Sequence, residues 1–303
     1  MRRVGLLTNP ASGKGHALES ASIARRRLRE LGVAVVDYEG ANHEESIELS
    51  RAAVQDPAID ALAVCGGDGI IGAALQAQAG SGTPLGIIPA GTGNDHAREY
   101  RIPLDPARAA EVIAAGFVTT TDLGIMRSAE AGDRWFGTIV CCGFDSLVTD
   151  RTNAMAWPRG RARYTLAILL EFLHFHAIDA RIVLDDGAVV LDDPITLCSI
   201  GNTRTYGGGM QICPHADHHD GLLDLTVLSK LGRASAAVKF PKLLQGTFAD
   251  PRSPEPSIAT YRAKKVEITM PEINAYADGD RFAALPITVE CVPGAGRYLV
   301  PRP

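Results

Sequence analysis

Three glycine-rich runs carry the first chemical signal in the chain: Asn9-Pro10-Ala11-Ser12-Gly13-Lys14-Gly15, Gly66-Gly67-Asp68-Gly69 and Pro89-Ala90-Gly91-Thr92-Gly93-Asn94-Asp95. Each follows a short apolar run and precedes a stretch of helical spacing. Glycine lets the backbone come close to a phosphate and turn N–H groups toward it. A helix N-terminus behind such a loop favours an anion. One loop of this kind could be a tight turn and nothing more, but three after successive strands point to a phosphate-bearing ligand. Single-loop phosphate motifs do not fit. A Walker A loop would need Gly in place of Thr8 and Ser or Thr in place of Gly15. The dinucleotide fingerprint would need Gly in place of Leu18 or His96. A P-loop NTPase is therefore excluded and a hydride-transfer enzyme disfavoured.

The elements that must position these loops alternate in type. Strand-like runs at 4–7, 33–37, 61–65 and 85–88 are separated by helical patterns at 18–31, 44–53 and 70–78, and a short helix is expected from His96 to residue 100. This alternation predicts a parallel sheet covered on both faces, with its loops converging at the carboxyl ends of the strands. After Asp122 the texture becomes that of short strands between Gly, Asp and Pro turns, at 135–142, 180–184, 188–191, 195–200, 223–228, 266–270 and 287–292. Helical stretches at 166–175 and 234–244 interrupt them. The expectation is an α/β nucleotide-binding domain over residues 1–122 and a β-rich, sandwich-like domain over 123–295. The C-terminal segment, about 296–303, is expected to pack back on the first domain.

The chain has 303 residues, 46% hydrophobic and 21% charged, with a net charge of −5, which offers no basic field for nucleic acid. Its six cysteines form no C-x-x-C pair and sit in apolar runs, so they read as reduced and buried. No stretch reaches the roughly 18 uncharged apolar residues of a spanning helix. The opening Met1-Arg2-Arg3 run is too short for a signal-peptide core. These features predict a cytoplasmic protein that meets a membrane only from the side, at the inner face of the plasma membrane. The run from Trp157 through Arg159, Arg161 and Arg163 into the apolar stretch 164–175 is the candidate contact with lipid headgroups, against the plainer reading of a core helix with a solvated basic start.

In combination the motifs resemble the diacylglycerol kinase catalytic family. N-P-x-S-G at Asn9, G-G-D-G at Gly66 and P-x-G-T-x-N-D at Pro89 occur in order. They are joined by Gly143-Phe144-Asp145-Ser146, Asn202, Tyr206-Gly207-Gly208-Gly209-Met210, Asp220-Gly221-Leu222-Leu223-Asp224 and Asp278-Gly279-Asp280. The resemblance implies a fold related to NAD kinases, with a parallel-sheet α/β domain followed by a mainly-β sandwich. It also implies an ATP- and Mg²⁺-dependent kinase that phosphorylates the hydroxyl of diacylglycerol to phosphatidic acid at a membrane surface. A sphingoid base or other lipid, NAD, or a catalytically silent nucleotide-binding regulator are the alternatives. A homodimer is left open.

The same resemblance implies roles for individual residues. Asn9, Pro10, Ala11, Ser12, Gly13, Lys14, Gly66, Gly67, Asp68, Gly69, Ile70, Ile71, Gly72 and Thr92 would cradle ATP. Asp68, Asp95 and Asp122 would form a carboxylate–water–Mg²⁺ network, because carboxylates beside phosphates are tolerable only through metal or water. Asp278 and Asp280 would activate the lipid hydroxyl. Asp220, with main-chain oxygens of Asp217 and Leu222, would hold a second, structural Mg²⁺. A zinc site built from Cys213, His215, His218 and His219 has poor spacing. The chain departs from the family at Ile70 and Gly72, where hydrogen-bonding side chains are common, and at Asp280, where Glu is usual.

Overall fold

The computed structural model describes residues 1–10, 16–155, 157–158, 163, 166–167, 170–171, 177–231, 245–249 and 255–302. The first half alternates as its spacing predicts: β1 (Arg3–Thr8), α1 (His16–Glu30), β2 (Ala34–Glu39), α2 (His43–Gln55), β3 (Ala61–Gly66), α3 (Asp68–Gln78), β4 (Leu85–Pro89), α4 (Asp95–Glu99) and α5 (Pro106–Ala115). Strands β2, β1, β3 and β4 pair in parallel in that order. Every residue of β3 is buried, as a strand covered on both faces must be. Helix α1 buries Ala17, Ala21, Ala24 and Leu28, one face at helical spacing. Asn42 caps α2 by accepting the Glu45 N–H, while the Glu45 carboxylate accepts the Ala41 N–H. Pro106 starts α5 after the Asp105 cap, and Gly116 ends it in the left-handed region.

The second half is mainly strand: β5 (Val118–Ser128), β6 (Gly132–Phe136), β7 (Ile139–Gly143), then α6 (Phe144–Ala154), β8 (Ile178–Leu184), β9 (Val189–Gly201), β10 (Leu223–Ser229), β11 (Ile258–Ala263), β12 (Lys265–Thr269), β13 (Asn274–Ala277), β14 (Asp280–Ala284) and β15 (Ile287–Leu299). One hydrogen-bonded path runs β14-β13-β7-β9-β8-β12-β15-β4-β3-β1-β2. Strand β15 joins the halves. It pairs antiparallel with β12 and β5, breaks register between Val292 and Gly296, and then lies parallel to β4 with Tyr298 opposite Leu85. One core lies under the parallel strands and a second fills the β-rich half.

Several boundaries differ from expectation. The run 135–142 is two strands, because the peptide at Gly137-Thr138 turns its N–H groups to a carboxylate instead of a ladder. The runs 188–191 and 195–200 are one strand, β9. Residues 144–154 form α6, an element the spacing did not predict. The texture change at Asp122 falls inside β5, which runs through it unbroken. The loop 11–15, the basic run 159–162, most of 166–175 and all of 234–244 lie outside the described residues, so the expectations placed there go without structural description.

Candidate functional site

The loops after β3 and β4 meet backbone to backbone. A β-carbon on Gly91 would stand 2.4 Å from the Gly67 Cα, so only glycine permits this approach. Asn94 holds the second loop: its Oδ1 accepts the Gly91 N–H at 2.9 Å and its Nδ2 donates to the Gly91 carbonyl at 2.9 Å, at a backbone φ of +54°. Asp68 opens α3 and Asp95 opens α4, so both carboxylates rise from helix starts beside this contact.

Asp68 and Asp95 converge over Gly93. A β-carbon there would lie 2.9 Å from Asp68 Oδ2 and 3.2 Å from Asp95 Oδ2. The missing side chain thus leaves a cradle faced by two carboxylate oxygens, a donor set suited to a hard divalent cation or its waters. Asp68 Oδ1 accepts the His96 main-chain N–H at 3.1 Å and lies 3.3 Å from His96 Nδ1. Burial works against ionisation of Asp68, but His96 outweighs it and holds the carboxyl below its ordinary range. Asp95 accepts N–H groups of Gly208 and Gly209, each at 2.9 Å, which explains the Tyr206–Met210 run: the tight Gly turn aims two amides across the halves. Burial nevertheless pushes the Asp95 carboxyl up, with the negative charge of Asp68 adding to it.

The Asp278-Gly279-Asp280 turn links β13 to β14 and places its two carboxylates differently. Asp278 is buried at φ +50°, and its oxygens accept the Gly137 N–H at 3.0 Å, the Thr138 N–H at 2.9 Å and the Thr138 hydroxyl. Both oxygens are thus committed to the Gly137-Thr138 segment, which Asp278 braces. Asp280 is 41% exposed and stands at the start of α3, where a β-carbon on Gly69 would be 3.1 Å from its Oδ2. Its other neighbours are Arg134 at 3.4 Å and His43 Nδ1 at 3.7 Å.

Other expected site residues are placed elsewhere. Asp122 does not join Asp68 and Asp95: its Oδ2 accepts the Gly221 N–H at 2.7 Å and its Oδ1 the Gly294 N–H at 2.9 Å, so it ties a loop to the β15 bulge. Ile70 and Ile71 point into the core, leaving Gly67, Asp68 and Gly69 as the accessible end of α3. Gly72 packs against Asp278, and a β-carbon there would touch Asp278 Cβ at 3.4 Å. Thr92 is exposed on the β4 loop, Asn9 and Pro10 are half-buried after β1, and Ala11, Ser12, Gly13 and Lys14 fall outside the described residues.

The residues expected at a second cation site have partners within the chain. Asp220 Oδ2 pairs with the Arg262 guanidinium, Asp220 Oδ1 accepts the Leu222 N–H at 3.0 Å, and Asp217 Oδ1 accepts the His219 N–H at 3.1 Å. The Arg262 guanidinium thus lies against the one carboxylate expected to ligate, and the described residues hold no cluster of three or more His, Cys, Asp or Glu that could hold a metal. Nor do the described residues include a helix long and apolar enough to cross a membrane. Trp157 is 78% exposed.

Sequence reasoning passed over His96, Arg134 and His43. His96 stood in plain view as an ionisable ring next to Asp95 and before the buried Ala97. Arg134 and His43 carry no local signal, since only the fold brings β6 and the start of α2 to Asp280.

Comparison with known proteins agrees with this architecture. The diacylglycerol kinase catalytic domain matches residues 3–126, and the YegS C-terminal NAD kinase beta sandwich-like domain matches residues 138–300. The chain is 44% identical to a diacylglycerol kinase of Mycobacterium tuberculosis over 99% of its own length and 96% of that protein. It is 31% identical to a "Probable lipid kinase YegS-like" of Stenotrophomonas maltophilia, over 81% and 80%. A crystal structure of a diacylglycerol kinase from Bacillus anthracis superposes with a TM-score of 0.74 at 20% identity, covering 99% of this chain and 97% of that one, a likeness of fold. A two-part kinase fold, with an α/β half that carries the glycine loops and a β-rich half, is the class these observations define. The chain belongs to the diacylglycerol kinase and YegS-like lipid kinase family.

Proposed function

We propose that the protein transfers the γ-phosphoryl group of ATP to the free hydroxyl of a diacylglycerol, giving phosphatidic acid and ADP. The observation that carries this reading is the meeting of Asp280 with Gly69 at the start of α3, one residue from Asp68. That places an accessible carboxylate beside the helix end and loops best suited to phosphates. Phosphoryl transfer needs the phosphates held in line, their charge neutralised and the acceptor oxygen oriented. The main-chain N–H groups around Gly67 to Gly69 would bind phosphate oxygens. Asp68 and Asp95, through the oxygens facing Gly93, would hold Mg²⁺ directly or through water. When bound, that ion would neutralise charge on the β- and γ-phosphates.

Asp280 is the base in this scheme. It accepts the hydroxyl proton as the lipid oxygen bonds to phosphorus and the bond to the ADP oxygen breaks. Arg134 and His43 flank it loosely enough to leave an oxygen for the substrate. Asp278 keeps the Gly137-Thr138 peptide in place beneath it. The lipid would approach as a peripheral contact from a membrane surface, and the M. tuberculosis relative's name supports diacylglycerol as the acceptor.

The test is labelled ATP with Mg²⁺ and mixed micelles of diacylglycerol, with D68A and D280N alongside. Labelled phosphatidic acid from the unaltered protein and its loss in both variants is expected. Label appearing only on sphingosine, ceramide or NAD would replace the acceptor. ATP binding with no acceptor labelled would overturn the kinase reading in favour of a nucleotide-binding regulator.

A further inference from the structure

His96 is the one imidazole wholly enclosed at the centre of the described site, at 0% exposure. Its main-chain N–H and its Nδ1 reach the same atom, Asp68 Oδ1, at 3.1 and 3.3 Å. An ionised carboxylate only accepts, so the ring contact requires the hydrogen on Nδ1. A single amide would let the carboxylate swing about its last torsion, whereas two donors from different directions fix its plane. With Oδ1 fixed, the other oxygen is the one that faces Gly93 and Asp95.

The far side of the ring is seated as closely. A β-carbon on Gly137 would be 2.4 Å from His96 Nε2, so the ring fits only because residue 137 has no side chain. Gly137 is itself pinned, donating its N–H to Asp278 and accepting from Asn202 through its carbonyl. Nε2 has no hydrogen-bond partner among the described residues. A buried polar atom without a partner costs free energy, and an apolar residue of similar size would avoid that cost. Among the described residues, the ring's side-chain hydrogen bond is made through Nδ1 alone.

We propose that His96 is a positioning residue for phosphoryl transfer: its Nδ1–H, backed by the Gly137 peptide, orients Asp68 so that Oδ2 stays at the Gly93 cradle. This rests on the reading that Asp68 serves the nucleotide–metal site. His96 touches neither nucleotide nor lipid and takes no proton in the reaction. Its removal should lower kcat and raise the Mg²⁺ concentration needed for half-maximal rate, with the KM for lipid little changed. Losses of supporting partners of this kind commonly amount to about 10–100-fold.

The experiment compares H96N, H96Q and H96L with D68N and the D68N/H96L double variant, in the micelle assay across a Mg²⁺ titration, with thermal melting of each. Asn can place its amide nitrogen near the Nδ1 position, whereas Gln carries its amide toward the Nε2 position and Leu has no donor. The expected order of activity is H96N above H96Q and H96L, with the Mg²⁺ requirement rising in reverse order and melting temperatures not following it. The double variant should be no worse than D68N. H96Q equal to or better than H96N, or activity tracking melting temperature alone, would overturn the proposal. So would effects of D68N and H96L that multiply. Full activity of D68N would instead remove the role of Asp68, and the proposal with it. If H96L does not fold, the order of H96N against H96Q still decides.

Discussion

Two acidic regions of this protein invite comparison. At the glycine loops, Asp68 and Asp95 each turn an oxygen to the Gly93 cradle, Asp95 while both its oxygens accept amides of Gly208 and Gly209, and Asp280 is 41% exposed. At the junction beside β5 and β15, Asp122 gives both oxygens to main-chain amides and Asp220 gives its own to Arg262 and Leu222. With Asp217 and Asp224 beside Asp122 and Asp220, the second region has more carboxylates and the denser acidic sequence. The difference lies in hydrogen-bond accounting. A carboxylate whose oxygens face only fixed amides or a guanidinium braces the fold, and one that also faces open space or the Gly93 cradle can do chemistry. The contrast even divides the Asp278-Gly279-Asp280 turn, whose two acids sit on opposite sides of it.

The comparison would break first at Asp280. D280N should cut kcat by about 10²–10⁴-fold, the usual contribution of a general base, with little change in melting temperature because the side chain is solvent-facing. A large melting shift with modest kinetic loss would move Asp280 into the bracing class. Asp278 should behave in the opposite sense. D278A strands the Gly137 and Thr138 donors in a buried setting and should cost about 3 kcal/mol in denaturant unfolding. An unfolding midpoint unchanged from the parent would show those donors to be satisfied by other means.

Asp145 sharpens the comparison within the β-rich half. It is enclosed near Cys141 and Ser199, and burial pushes its carboxyl up to about 6. A carboxyl whose folded value lies above its unfolded one destabilises the fold at higher pH, where ionisation is forced on the buried group. That cost shrinks as pH falls below about 6 and is gone once the unfolded chain is also protonated, near pH 4. D145N should therefore be more stable than the parent at pH 7.5, by up to about 3 kcal/mol, with the advantage fading between pH 6 and pH 4. Melting curves of both proteins across that range test it, and an advantage independent of pH would show that charge is not the cause.

The smallest effect is expected at Arg262. Its pair with Asp220 is substantially exposed, so R262Q should change stability by about 1 kcal/mol or less. EDTA should leave the melting temperature of the nucleotide-free protein unchanged. A clear fall with EDTA, restored by Mg²⁺, would show that a cation holds the 217–222 loop and that the guanidinium yields to it.

Much of the fold was legible because its signals are local. Apolar runs before glycine loops marked β1, β3 and β4, and the buried stripe of α1 showed at helical spacing. The elements that escaped are those whose definition is not local. Strands β13 and β14 are only four and five residues long, and no apolar run marked them. The 135–142 run divides only because Asp278, distant in sequence, captures the Gly137 and Thr138 amides. The site shows the same split. Asp68 and Asp95 could be placed from their loops, whereas Asp122 looked equivalent until its partners Gly221 and Gly294 were known.

By itself the sequence determined the alternating half, the three glycine loops and the family, since glycine's freedom, hydrophobic period and motif order are properties of neighbouring residues. Only the tertiary structure decided which carboxylates are free, that His96 stands between Asp68 and the Gly137 peptide, and that Arg262 covers Asp220. Those outcomes depend on which donors arrive from elsewhere in the chain, and a carboxylate's chemistry is set by what its oxygens still face after folding.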